Sequence, residues 1–380
     1  MSKIEQLTAS LSSDSRRQLT LEVRLVLYDG SQAVASVPQG KSTGQCEAVS
    51  LPPAKAVDAI SRISNNLKAS DFDQASLEQR LLELDGTANK SGLGANTTLG
   101  ISMAFARASS LSQKLDLWQY LRNLYSGKIG SGRPRLYMNM INGGRHANND
   151  LRFQEYLVTP IQDSLSSSLQ AGKNFFEALS NHLTGAPIGD EGGFAPQFKS
   201  DLEPLQIYVD VAKTVEGDFE FGIDAAGSNI DNGPNRLYQT YQQMAKQFNI
   251  SYLEDPFGED DFQLFAKLKA QLGDKTLIVG DDLTTTNLER MRTAYERDSL
   301  SGIIIKPNQI GTVGESLAAI KQAREYGWAV IVSHRSGETM DDFIADLAWA
   351  VMADGAKFGA PLPKERLVKY ERLVAIESAT

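Results

Sequence analysis

The rhythm of apolar positions changes along the chain. Residues 19–28 (LTLEVRLVLY) alternate with period two in places and predict a strand. Asp29-Gly30 is a hairpin turn signal, and QAVASVP (32–38) predicts the returning strand. Over 56–67 the apolar residues Val57, Ile60, Ile63 and Leu67 keep a helical spacing. Residues 99–108 are apolar on most sides and rich in small side chains, which predicts a buried helix. Strands followed by helices predict a compact α+β domain. Residues 126–134 (SGKIGSGRP) are rich in Gly and Ser and close on Pro134. They predict a boundary, with one domain over 1–126 and a second over 134–380.

Beyond the boundary Leu165, Leu169, Phe176, Leu179 and Leu183 fit a helix that stops at Gly185. Short apolar runs follow: FEFGID (219–224), ISYLED (250–255), LIVGDD (277–282), SGIIIKP (301–307) and WAVIVSH (328–334). Helical spacing fills the gaps, for example over 262–272 and 316–326. A strand about every 30 residues with a helix between predicts a (β/α) barrel, so the class is α/β with an α+β domain in front.

Composition narrows the function. A net charge of -9 argues against sequence-independent binding to nucleic acid, which needs clustered Lys and Arg. The single Cys46 excludes an intrachain disulfide and suits a reducing compartment. Cys46 itself reads as a packing residue, and His182, in SNHL, as a surface or packing residue. The opening MSKIEQLTASLSSDSRR lacks the apolar core of a signal peptide, and no apolar run approaches the length of a membrane span. A cytoplasmic protein is the expectation. The string GKST (40–43) does not make a phosphate-binding P-loop, because that pattern needs Gly at 35 and Ala35 stands there.

In such barrels the chemistry comes from the C-terminal ends of the strands. Those ends present Asp224, Glu254, Asp281, Lys306 and His334 in succession. One acidic residue after a strand is ordinarily a helix cap or loop residue, but this series converges on one barrel mouth. Three converging carboxylates repel one another unless a cation lies among them, and oxygen ligands suit a hard divalent ion such as Mg²⁺. Three histidines and one cysteine support zinc poorly. Lys306 beside such a site is a candidate general base, because neighbouring cations disfavour its protonated form. Together these groups suit proton abstraction next to a carboxylate.

The chain also carries longer motifs. IGDEGGFAP (188–196), NGGRHANND (142–150), FQEYLVTP (153–160), LEDPF (253–257), GDDLTTTN (280–287), IIIKPNQIGT (303–312) and SHRSGET (333–339) resemble those of the enolase family. GANTTLGISMAFARA (94–108) and DSR (14–16) resemble its N-terminal domain. The resemblance implies an N-terminal α+β capping domain followed by an enolase-type (β/α)8 barrel. It implies a glycolytic hydro-lyase, phosphopyruvate hydratase, that interconverts 2-phosphoglycerate and phosphoenolpyruvate with two Mg²⁺ per site. Asp224, Glu254 and Asp281 would hold the first ion, and Ser42 the second together with substrate phosphate. Lys306 would be the base and Glu191 the acid, supported by Glu155, with crowding between the two raising the pKa of Glu191. His146 would close over the substrate. Arg335 and Ser336 would bind phosphate beside His334, and Lys357 would pair with the substrate carboxylate. A homodimer or higher homo-oligomer is implied, without nucleic acid or a membrane span.

The chain departs from the family in shortened segments after the Ser42 loop and between Asp224 and Glu254, and little follows IES (376–378). Arg17 replaces a family Gly, and Lys41 and Arg145 add positive charge near the phosphate side. Two other readings remain. One is a superfamily lyase acting on another (phospho)carboxylate, and the other a non-catalytic, enolase-like structural protein. A role beside RNA-processing partners is a weaker third. SHRSGET and the Ser42 loop, both tied to phosphate, favour 2-phosphoglycerate, and no base or metal ligand is missing.

Overall fold

The computed structural model describes residues 2–41, 44–68, 70–230 and 233–380. Its first sheet has the order β3-β2-β1-β4, from β1 (Ser2–Ser13), β2 (Leu19–Leu27), β3 (Gln32–Val37) and β4 (Asp71–Phe72). The predicted β2–β3 hairpin forms, and β1 pairs antiparallel with β2. β1 was not predicted. Only Ile4 and Leu7 of it are buried, and a bulge between Ile4 and Gln6 breaks the alternation that marks a strand. Helix Ala95–Ser112 packs on β2 and β3, buried along nearly its whole length as its small-residue composition predicts. The approach is close at Gly100, where a Cβ would lie 2.6 Å from Val23 Cγ2.

The second sheet comprises β5 (Arg135–Leu136), β6 (Met138–Asn142), β7 (Glu155–Ile161), β8 (Asp218–Asp224), β9 (Ile250–Glu254), β10 (Leu277–Gly280), β11 (Gly302–Ile305), β12 (Ala329–Ser333) and β13 (Gly355–Lys357). Its order is β5-β13-β12-β11-β10-β9-β8-β7-β6. β5 and β6 are one run of chain interrupted at Tyr137. The first piece pairs with β13 and the second with β7, so the sheet closes on itself as a barrel. The βα rhythm is regular only from β8 onward. β7 runs antiparallel to both neighbours, and helices Leu165–His182 and Glu203–Ala212 lie between β7 and β8. Inside the barrel, Tyr137, Leu157, Tyr252, Val279, Ile304 and Ile331 form a separate apolar cluster, a packed plug rather than a pore.

The first domain docks on the C-terminal end of the barrel. Gln39 and Gly337 exchange backbone hydrogen bonds of 3.0 and 2.9 Å, and Ser15 N donates to Glu338 O at 2.7 Å. Arg107 pairs with Asp341 and Asp342 at 2.6 and 2.9 Å. These contacts set residues 39–41 over the barrel mouth.

Candidate active site

Strand length fixes which side chains reach the mouth. β8, β9 and β13 end on Asp224, Glu254 and Lys357, while Asp281, Lys306 and His334 directly follow β10, β11 and β12. Glu155 begins β7, whose reversed direction brings its first residue to the same end. His146 ends a short 3-10 turn (Gly144–His146), and Glu191, Arg335 and Ser336 arrive on loops. All of these except Glu254 line one cleft open to solvent. Glu254 is fully buried and touches Lys357. Ser42 lies outside the described residues.

Local sequence explains each placement. Lys306 is extended, with φ -125°, and Pro307 starts the short helix Pro307–Ile310 immediately after it. That helix turns Gln309 back, so its Nε2 donates to Asp281 Oδ1 at 3.1 Å. Asp255 accepts from the backbone amides of Asp281 and Asp282 at 3.0 and 2.5 Å, which anchors the turn after β10. The glycines around Glu191 serve packing. A Cβ on Gly189 would lie 2.6 Å from Asn142 Cβ, and one on Gly193 would lie 2.8 Å from Asn142 Oδ1. The loop therefore lies directly on β6; the glycines make room for the barrel wall.

The charges form two unequal groups. Lys357 Nζ lies 2.8 Å from Glu254, 2.9 Å from Asp224 and 3.3 Å from Glu155. Burial opposes its charge, but Asp224, Glu155 and Glu254 outweigh burial and push its pKa well up. Lys306 pairs with Asp281. Burial and Arg335 favour neutral Lys306, yet Asp281 prevails and its pKa is raised. Arg335 does disfavour the charge on Lys306, as expected of a neighbouring cation, and the pairing with Asp281 outweighs it.

Glu191 and Glu155 are also a coupled pair. Burial and then the Glu191 charge push Glu155 well up. At Glu191 burial is overcome by His334 and His146, which hold it low. Crowding does raise one carboxyl, but it is Glu155 and not Glu191, because the imidazoles face Glu191. His334 Nε2 lies 3.3 Å from Glu191 Oε2, and His146 Nδ1 lies 3.6 Å from Oε1. Asn139 Nδ2 donates to Glu191 Oε2 at 3.1 Å.

Around Arg335 and Ser336, the Arg335 guanidinium pairs with Glu47 at 2.9 Å, and Ser336 Oγ accepts from Lys41 N at 2.7 Å. Lys41 Nζ lies 2.7 Å from both Asp190 Oδ2 and Arg145 O, so its added charge is largely matched by Asp190. Sequence reasoning missed Glu47, Asn139, Gln309 and Arg366. Gln309 lay inside a quoted motif, whereas Arg366 lies in KERLVKYERL, which reads as a solvated helix face. Cys46 is exposed, contrary to its reading as a packing residue, because its loop lies on the surface. His182 is exposed in the last turn of its helix.

The donor chemistry fits a hard divalent cation. Glu254 Oε1 is buried without a hydrogen-bond partner among the described residues, in a cluster of carboxylates. Burial and Asp224 push Glu254 up to about 8 despite its contact with Lys357. Carboxylate oxygens of Asp255, Asp281 and Asp282 lie within 4.8 Å of one another, as do ligand atoms of His146, Glu155 and Glu191. Asp224 and Glu254 share Lys357, while Asp281 turns to Lys306, so the three predicted ligands are divided between two lysines.

Comparison with known proteins gives the family. Residues 4–121 match the enolase N-terminal domain, and 133–240 and 231–380 match the enolase C-terminal TIM barrel domain. An enolase of Methanopyrus kandleri is 38% identical over 413 aligned positions, covering 99% of this chain and 96% of that protein. An enolase of Sulfurisphaera tokodaii is 37% identical, covering 96% and 93%. Enolase 2 of Lactiplantibacillus plantarum is 39% identical, covering 98% and 94%. No helix among the described residues is long and apolar enough to cross a membrane. The chain belongs to the enolase family, lyases of the phosphopyruvate hydratase type.

Proposed function

We propose that this chain reversibly dehydrates 2-phosphoglycerate to phosphoenolpyruvate. One observation carries the reading: Lys306 and the Glu155–Glu191 pair line the same cavity from opposite sides of the barrel. β11, which precedes Lys306, and β7, which begins with Glu155, lie across the ring from each other. That placement suits loss of a proton and a hydroxyl from opposite faces of a small hydroxy acid.

Lys306 Nζ would take the proton from carbon 2. The Glu155–Glu191 pair would return a proton to the departing hydroxyl at carbon 3, giving water. Lys357 would hold the substrate carboxylate, His334, Arg335 and Ser336 the phosphate, and His146 would close the cavity. Asp224, Glu254 and Asp281 would hold one Mg²⁺, and Ser42 with the phosphate a second. When bound, Mg²⁺ supplies positive charge against the substrate carboxylate as carbon 2 is deprotonated. Two unit charges 4 Å apart attract by about 4 kcal/mol at an effective dielectric near 20, and a divalent ion about doubles that. With Asp281 engaged as a ligand, Lys306 would lose the charge that favours its protonated form.

The test is direct. Purified protein with 2-phosphoglycerate and Mg²⁺ should produce phosphoenolpyruvate, read by its absorbance, and EDTA should stop it. Absence of product would overturn the reaction; product that survives EDTA would overturn only the metal. We further propose a homodimer or higher homo-oligomer, which a monomeric mass by light scattering would refute. A cytoplasmic location is checked by cell fractionation. The division into domains 1–126 and 134–380 expects limited proteolysis to cut first between them.

A further inference from the structure

Arg366 is the largest fully buried side chain described, at 1% exposed. It sits on helix Lys364–Ala379 outside the barrel, and its guanidinium reaches into the mouth. It donates to Arg335 O at 2.7 Å, Ser336 O at 2.8 Å and Asp190 O at 3.4 Å. Its Nη1 also meets His334 Nδ1. A guanidinium carries donors only, so Nδ1 must be the acceptor there and bear no proton. The ring proton is then on Nε2, the atom 3.3 Å from Glu191 Oε2.

The surroundings are shaped for this contact. Gly359, at φ +88°, has no side chain where the two groups meet. A Cβ there would lie 2.7 Å from Arg366 Cδ and 2.9 Å from His334 Cε1. The carbonyl contacts alone would explain Arg366 as a brace between the 190 and 335–336 loops. They do not require it to touch the imidazole.

We infer that Arg366 is a positioning residue that fixes His334 as the neutral Nε2–H imidazole, so that His334 donates to Glu191 and the cavity and does not accept. The charged groups facing His334 are Glu191 from its loop, Arg366 from the C-terminal helix and Lys357 from β13. Burial, with Arg366 and Lys357 behind it, outweighs the attraction of Glu191 and pushes its pKa down to about 3. His334 is therefore placed to donate its Nε2 proton to Glu191 while the ring stays uncharged. Any consequence for turnover rests on the proposed dehydration; the tautomer does not.

The experiment is nitrogen NMR on the full chain labelled at histidine, which has only His146, His182 and His334 to resolve. His334→Asn identifies the signal. Wild type should show His334 with its proton on Nε2 and an unprotonated Nδ1 from pH 8 down to pH 5. In Arg366→Met the ring should mix tautomers or titrate at a higher pH than in wild type, with the His182 signals unchanged. Arg366→Lys, which keeps a donor, should restore the wild-type pattern in large part. In turnover, Arg366→Met should lose about 10- to 100-fold in kcat, change KM less, and shift the acid limb of its pH profile upward. An Nδ1–H ring or an imidazolium at pH 7.5 in wild type would overturn the inference, even if Arg366→Met does not fold. So would an unchanged His334 spectrum in Arg366→Met, whatever happens to its melting temperature. A wild type with the expected tautomer but no dehydration would refute the proposed reaction and leave this inference standing.

Discussion

The two buried lysines of the mouth sit on strands two apart in the barrel, yet they are built differently. Lys357 touches three carboxylates, whereas Lys306 pairs with one and has Arg335 and Lys357 pressing against its charge. A lysine shared by three anions keeps its proton under almost any change around it. A lysine held by one anion loses its reason to be charged once that anion is engaged elsewhere. The difference separates a fixed charge, suited to binding an anion, from a convertible one, suited to taking a proton.

The largest expected effect is on rate. Lys306→Ala should lower kcat by about 10²- to 10⁴-fold, the usual contribution of a positioned base. Its fold should persist, because Asp281 keeps the hydrogen bond from Gln309. The check is phosphoenolpyruvate formation alongside a denaturant melt. A variant as active as wild type would remove Lys306 from the chemistry.

Lys357→Met should break the comparison from the other side. It leaves Asp224, Glu254 and Glu155 crowded and buried without their shared cation. Removing one partner from a buried ion-pair group costs about 3–5 kcal/mol. Urea melts of metal-free protein should show that loss, and a clearly smaller one for Lys306→Ala. Equal losses would mean that the two lysines are held alike.

The sequence showed where these side chains would stand, though not what they would touch. β8 to β12 are apolar runs that each end in a charged or polar residue, so Asp224, Glu254, Asp281, Lys306 and His334 could be placed at one end of a barrel. Lys357 was reached only through the family resemblance, since β13 has three residues, one of them glycine, and carries no periodic signal. β7 fell inside a recognised motif, but its antiparallel direction leaves no mark in its own residues. The contact of Lys357 with Glu254 crosses the barrel and joins positions 103 apart in the chain, which local patterning does not encode. Arg366 stayed hidden for a similar reason: its helix is rich in charge, and only packing reveals which charge turns inward.

His334 sharpens the contrast, because it is a buried base kept uncharged. Its folded pKa of about 3 lies below the ordinary 6.5. Between those values the unfolded chain binds a proton that the folded chain does not, so stability falls as pH drops. The contribution is complete above pH 6.5 and is lost progressively toward pH 3. From pH 7.5 to pH 5 the loss is about 2 kcal/mol for this one group. Urea melts at the two pH values should show His334→Asn losing that much less than wild type. Equal losses would show that His334 does accept a proton in the folded state.

The smallest effect lies outside the mouth and calibrates the others. Arg17 has a left-handed φ of +61°. The turn is imposed by Asp14, whose Oδ1 accepts from Arg16 N at 2.9 Å and Gln18 N at 2.8 Å. A non-glycine residue there costs about 1–2 kcal/mol, of which a glycine gives back part through the freedom it loses on folding. Arg17→Gly should therefore raise stability by up to about 1 kcal/mol in urea melts. It should leave kcat unchanged, because Arg16, the neighbour that reaches Ser336 Oγ at 3.4 Å, keeps its place in the turn. A fall in stability would mean that the Arg17 side chain makes contacts outweighing its backbone strain. A fall in kcat with stability raised would mean that this turn, and not the lysines alone, tunes the Ser336 side of the mouth.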